Sequence, residues 1–160
     1  NENFVKSMLR ELSLIHRTYP MIVFGLPRWE KFYNISPDHM TKLNVHLTNS
    51  VYINHEDPEI QAFKLAYFNE YGSAPTVESF KGYDFAMYFG RLLKDQGTNL
   101  LQGLETNPGT LLHSQVHFRP LYAPMPANSM GEGQQKVNQF ENKYVNILRY
   151  NNFQFVRMHR

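Results

Sequence analysis

The stretch AYFNEYGSAPTVESFKGYDFAMYFGRLL, residues 66–93, sets Tyr67, Phe68, Tyr71, Phe80, Tyr83, Phe85, Tyr88 and Phe89 around a single Gly-x-x-Pro break. It reads as the end of one helix and most of a second. Upstream, Asp57 stands where an N-cap belongs, Pro58 at the first helical position, and Gly72 as the stop. Ile60, Phe63, Tyr67 and Tyr71 then share one side of the first helix. The second is predicted from about Val77 to Lys94, ending near Gly97, with Val77, Phe80, Met87 and Leu92 in its apolar stripe. An aromatic stripe on paired helices is by itself core more often than binding surface.

Working outward, Phe4, Val5, Met8, Leu9, Leu12 and Ile15 recur at helical spacing, with Asn1 or Asn3 as the cap. The continuous apolar run MIVFGL, residues 21–26, suits a strand buried on both faces, as in a parallel sheet. Residues 27–35 read as a loop opening into a short helical turn started by Pro27. In KLNVHLTNSVYI, residues 42–53, Leu43, Val45 and Leu47 alternate with polar neighbours, followed by Val51 and Ile53. That is a period-two strand with an irregularity near Asn49-Ser50. Residues 98–112 hold one further short helix, SQVHFRPL (114–121) reads as a strand, and YAPMPANSMGEGQQ (122–135) as a surface loop. The C-terminal KYVNILRYNNFQFVRM (143–158) is predicted as two strands around a turn at Asn151-Asn152. The order is that of α/β layers with an antiparallel C-terminal end.

Composition narrows the function classes. A hydrophobic fraction of 42% over 160 residues fits one folded domain with a core. Sixteen basic and fourteen acidic residues, net +2, give no strong pull on nucleic acid or an anionic membrane. Arg149, Arg157 and Arg160 form the one local excess, read as a solvated strand face. There is no cysteine, so disulfides, thiolate metal sites and cysteine nucleophiles are excluded. No apolar run is long enough to span a bilayer. The chain starts within a helical pattern without a methionine, and the expectation is a mature fragment or domain of a longer polypeptide.

Motifs for chemistry are sparse. His113 and His117, four apart on a predicted strand, would stand about 13 Å apart, too far to share a metal. His39, His46 and His55 have no ligand-type spacing. Asp57, Glu59 and Asp84 are candidate catalytic carboxylates, but Asp57 is explained as a cap and no second acid pairs with it. No nucleophile elbow, phosphate loop or dinucleotide fingerprint occurs, so a hydrolase-like enzyme is the weakest reading. FGLPRW, residues 24–29, says more. A buried strand ending in Gly-x-Pro delivers Arg28 and Trp29, the sole tryptophan, to the C-terminal edge of a sheet, where open α/β folds bind ligands. The competing reading has Trp29 packing on the sheet and Arg28 solvated.

Taken in order, MIVFGLPRW and the run from Leu43 to Leu93 resemble the C-terminal half of type I periplasmic binding proteins, the amino-acid and branched-chain-type substrate-binding proteins of ABC transporters. Gly25, Tyr52, Asp57, Phe63, Tyr67, Tyr71, Gly72, Pro75, Tyr83 and Asp84 fall on the family's pattern. Phe85 departs from it, standing where alanine is usual. Residues 1–97 carry the match and the final hairpin adds less.

The resemblance implies a partial type I periplasmic-binding-protein fold. Residues 1–52 and 113–160 would be second-lobe-like, and residues 53–112 first-lobe-like. It implies a non-enzymatic, extracytoplasmic solute-binding domain of a bacterium, periplasmic or a cell-surface lipoprotein, without a cofactor or metal. The ligand would be a small molecule such as an amino acid in an interlobe cleft. Leu26, Pro27, Arg28 and Trp29 would line the second-lobe side, Ser79, Phe80 and Tyr83 the first-lobe side, and Tyr52 a hinge crossing. Rings would stack on apolar ligand parts and Arg28 would hold a carboxylate. An ABC permease or a cell-wall component would be the macromolecular partner, and a further copy of the chain or a missing segment would cover apolar surface. The alternative is a degenerate structural or interaction module attached to peptidoglycan-binding (LysM-type) repeats.

Overall fold

The computed structural model describes residues 1–122 and 137–158. In chain order the described elements are α1 (Glu2–Ile15), β1 (Phe24–Gly25), α2 (Pro37–Lys42), β2 (His46–Asn49), α3 (Pro58–Tyr71), α4 (Val77–Gln96), α5 (Leu100–Thr106), β3 (Gly109–Thr110), β4 (Gln115–Val116), β5 (Phe118–Tyr122), β6 (Val137–Asn142), β7 (Asn146–Asn151) and β8 (Gln154–Arg157). Two compact units result, Asn1–Tyr52 with Val145–Arg160, and Ile53–Tyr144. Of the described residues, 113–122 and 137–144 fall in the second unit with residues 53–112.

In the first unit, Asn1 caps α1, its side chain accepting from the Asn3 N–H at 3.0 Å. Val5 and Leu9 are buried, with Met8 and Leu12 packed beside them. Phe4 and Ile15, expected on the same stripe, are exposed. At 100° per residue both lie on one flank, roughly 80° from the stripe's centre, beyond the reach of the core.

The sheet runs β1-β2-β7-β8. β1 is parallel to β2, with Phe24 opposite His46, and the other pairs are antiparallel. Parallel pairing was legible in residues 21–26, but burial on both faces was not. Met21 and Val23 pack on the core, while Ile22 and Phe24 are 59% and 61% exposed. The segment is an edge strand with one face covered, tied to its neighbour by His46 N–H donating to Val23 O at 2.8 Å.

The alternation at Leu43, Val45 and Leu47 also comes apart. All three are fully buried, yet Leu43 is the C-cap of α2, a helix absent from the sequence reading although Ser36-Pro37 is an N-cap and first-turn proline pair. Asn44 then takes φ 46° to turn into β2. Burial from two elements mimicked one strand. β2 stops at Asn49, at the irregularity foreseen, and Val51 and Ile53 lie outside it.

The C-terminal hairpin forms as expected, with its turn one residue later. Asn151 pairs with Gln154, so Asn152 and Phe153 are the central residues, at φ 47° and 66°. Positive φ at both is a type I′ turn, whose twist suits the strands. The register follows burial: Asn146, Leu148 and Tyr150 point inward, and Phe155 meets the Tyr150 ring edge-on at 5.2 Å.

In the second unit α3 is capped by Asp57, starts with Pro58 and stops at Gly72 in the left-handed region. α5 supplies the short helix expected in residues 98–112. The single strand read in residues 114–121 is broken at His117. β4 pairs β3 and β5 pairs β6. The Asn142 side chain occupies the break, accepting from His117 N–H at 2.8 Å and donating to Gln115 O at 3.0 Å. The segment read as a Pro/Gly loop lies, after Tyr122 of β5, outside the described residues.

Phe153 is 82% exposed and holds a backbone conformation that costs a side-chain-bearing residue about 1 kcal/mol. Phe153→Gly is therefore expected to raise the urea unfolding free energy by about 1 kcal/mol with no change in m-value. A neutral or destabilising result would refute the turn assignment.

Candidate functional site

In the first unit the candidate surface is the loop after β1. Gly25 is required there by the indole of Trp29, which lies against it: a Cβ at Gly25 would sit 2.6 Å from Trp29 Cδ2. Leu26 leads into a 3-10 turn, Pro27–Lys31, closed by Trp29 N–H donating to Leu26 O at 2.9 Å. Trp29 is buried in the core, whereas Leu26, Pro27 and Arg28 are exposed. The turn thus presents Arg28 with two apolar residues to solvent over an anchored indole. Tyr52, at the end of this unit, packs on the same core, and the Arg157 guanidinium carbon stands 5.2 Å from its ring centre.

In the second unit the candidate surface is the start of α4. Thr76 and Ser79 form a reciprocal capping box, Thr76 Oγ1 accepting from Ser79 N–H at 3.3 Å and Ser79 Oγ accepting from Thr76 N–H at 3.2 Å. Ser79 Oγ also donates to the Tyr67 hydroxyl at 3.2 Å, tying α4 to α3. Phe63 joins the two helices through Phe80 and Tyr83, with ring centres 4.7 and 4.8 Å away. Phe80 is buried beneath this contact, and Tyr83 is 44% exposed.

The inward line of α4 is Phe80, Asp84, Tyr88 and Leu92, one residue per turn, so a carboxylate sits inside an apolar stripe. Asp84 is 3% exposed and accepts from Leu112 N–H at 3.0 Å, His113 N–H at 3.1 Å and His113 Nδ1 at 2.5 Å. His113 is 4% exposed. A buried polar group costs stability unless it is hydrogen-bonded, and this carboxyl meets three partners. With its oxygens engaged by three donors, Asp84 fastens the segment before β4 to the helix. Tyr88 completes the contact, donating to Asn107 O at 2.7 Å and lying over Gly109. Burial pushes its phenol above the ordinary value. Tyr83, Met87, Tyr88, Arg91 and Asp95 with residues 107–112 line an open groove of ≈ 580 Å³.

The structure groups Leu26, Pro27, Arg28, Trp29 and Tyr52 in one unit and Ser79, Phe80 and Tyr83 in the other. His113 and His117 separate into a buried ligand of Asp84 and an exposed residue at the strand break. Among the described residues no three His, Asp or Glu side chains converge as a metal site. The Asp84–His113 pair was not foreseen. Its signal was the acid placed four residues after Phe80 and four before Tyr88, which asks for a buried partner.

No family model and no curated protein matches the chain. Among solved structures it is similar to an ABC transporter substrate-binding protein from Desulfitobacterium hafniense in complex with Leu, at 18% identity over 93% of this chain and 39% of that one, TM-score 0.42. It is likewise similar to a putative branched-chain amino acid ABC transporter from Rhodospirillum rubrum, at 16% identity over 98% and 42%, TM-score 0.49. The chain therefore spans about two-fifths of the length of these structural neighbours. Among the described residues no helix is long and apolar enough to cross a membrane.

Two substitutions test the local architecture. Gly25→Ala must displace the only indole, so it is expected to lower stability by about 2 kcal/mol and shift tryptophan emission to the red. Unchanged emission would place Trp29 elsewhere. Asp84→Ala leaves two buried amides and an imidazole without their acceptor and should cost about 3 kcal/mol in urea unfolding. A loss well under 1 kcal/mol would contradict the buried pairing.

Proposed function

We propose that this chain is part of an extracytoplasmic, non-enzymatic solute-binding domain that closes by hinge motion over a small molecule such as an amino acid. The observation that carries the reading is the way the chain is shared between its units. β2 and β7 are ladder partners, with Asn49 opposite Asn146. The chain leaves the first unit just after one and re-enters just before the other. Paired crossings from one end of a strand pair form a hinge in which few residues need to change φ and ψ.

In this reading residues 1–52 and the C-terminal hairpin belong to the second lobe, and α3 and α4 to the first. The described residues 113–122 and 137–144 are assigned to the first lobe with them. Leu26, Pro27 and Arg28 face the interlobe cleft from the second lobe, Arg28 pairing with the ligand carboxylate. Ser79 and Tyr83 face it from the first, the exposed Tyr83 ring stacking on apolar ligand parts. Trp29 and Phe80 support these surfaces from below, and Tyr52 marks a crossing. An ABC permease is the partner this role calls for.

The burial of Trp29 and Phe80, two rings assigned to ligand contact, favours a second reading. A module that keeps the packing but has lost the cleft would serve as a structural element of a cell-wall-associated protein. Thermal unfolding in the presence of the twenty common amino acids separates the two. A solute-binding domain is expected to gain several degrees with at least one of them, and Arg28→Ala to lose most of that gain. No gain with any amino acid, together with retention on peptidoglycan sacculi, would select the second reading.

A further inference from the structure

We propose that Arg157 is a positioning residue for the first chain crossing, acting through Tyr52. The proposal rests on the hinge reading above for its consequence, but its geometry lies wholly within the first unit.

Tyr52 is the last residue before the chain passes to Ile53 of the second unit. β2 has already ended at Asn49, so the exit segment has lost its ladder. Its backbone keeps a bond from Val51 N–H to Asn49 Oδ1, at 3.2 Å. Its side-chain anchor is the Tyr52 ring, half-buried on the core with the Arg157 guanidinium over it at 5.2 Å. Arg157 is well placed to act as a fixed point. It pairs with Leu148, which pairs with Leu47, so it stands two strands away from β2. Beyond it, Met158 N–H donates to Ile147 O at 3.0 Å, and the Met158 sulfur meets His46 Nε2 at 3.1 Å. The end of β8 is thereby secured to both β7 and β2. The Tyr52–Arg157 contact ties the departing segment to that secured end across the sheet. A planar, weakly hydrated guanidinium suits this task, because it stacks on a ring while staying charged. The sequence reading took Arg157 for a solvated strand-face cation; the fold gives it a ring to cover.

Amide hydrogen exchange on the intact chain without ligand tests the assignment. Arg157→Ala and Tyr52→Leu are expected to accelerate exchange at residues 51–54 by about five- to tenfold, the range of a partly exposed cation–π contact. Amides of β2 and β7 should stay within about twofold of the parent. Tyr52→Phe keeps the ring and should exchange like the parent. The Arg157→Ala/Tyr52→Leu double variant should be no faster than either single one. Arg157→Gln, which keeps much of the stem, serves if the alanine variant does not fold. Unchanged exchange at residues 51–54, or equal acceleration throughout the first unit, would overturn the assignment. A failed amino-acid screen would remove the solute-binding reading and leave this contact standing.

Discussion

The pairing of β2 with β7 is the constraint on which the first unit depends. It joins residues 46–49 to residues 146–149 and sets Leu47 opposite Leu148, both fully buried. Closing so long a loop costs conformational entropy that grows only slowly with its length, so a large excursion between the strands is tolerated. The excursion here is the whole second unit. Once the ladder is formed, β1 adds in parallel on one side and β8 on the other. The two points where the chain passes between units are then fixed at one end of the pair.

The second unit is organised around a different kind of interaction. Its helices α3 and α4 meet through rings, Phe63 touching Phe80 and Tyr83, beside buried Ile60 and Leu92. Aromatic packing is directional and covers a large area per residue. The Asp84–His113 pair then decides where the segment before β4 attaches. Such a pair specifies position more than it adds stability, because much of its attraction is offset by desolvation. It stands beside a phenol, Tyr88, that is itself held by a backbone carbonyl. The functional surfaces proposed here lie over buried rings: the exposed turn Leu26–Arg28 over Trp29 in the first unit, and the start of α4 over Phe80 in the second.

Local sequence was a good guide wherever the physics was local. The caps at Asn1, Asp57 and Gly72, the helix-starting prolines Pro27 and Pro58 and the hairpin's existence depend on residues within one turn of each other, and each was legible. The candidate site was legible only as a set of positions. That Leu26, Pro27 and Arg28 reach solvent while Trp29 turns inward depends on the indole meeting Gly25, four residues earlier but across a turn. A run of apolar residues could not say that β1 would be an edge strand, since periodicity records how many faces are apolar and not how many are covered. Leu43, Val45 and Leu47 alternated for reasons belonging to two elements, and α2 was hidden by them.

The sequence by itself determined α1, α3 and α4 with their caps, the existence of the final hairpin and the absence of cysteine chemistry, because these follow from backbone sterics, capping and composition. Tertiary structure alone decided the partner of each strand, the one-residue position of the final turn, the burial of Trp29, the union of Asp84 with His113 across 29 residues of chain, and the placing of Arg157 over Tyr52. All of these are contacts between segments whose separation in sequence carries no information about their separation in space. They are set by which apolar faces can cover one another and by which buried charge must find a donor.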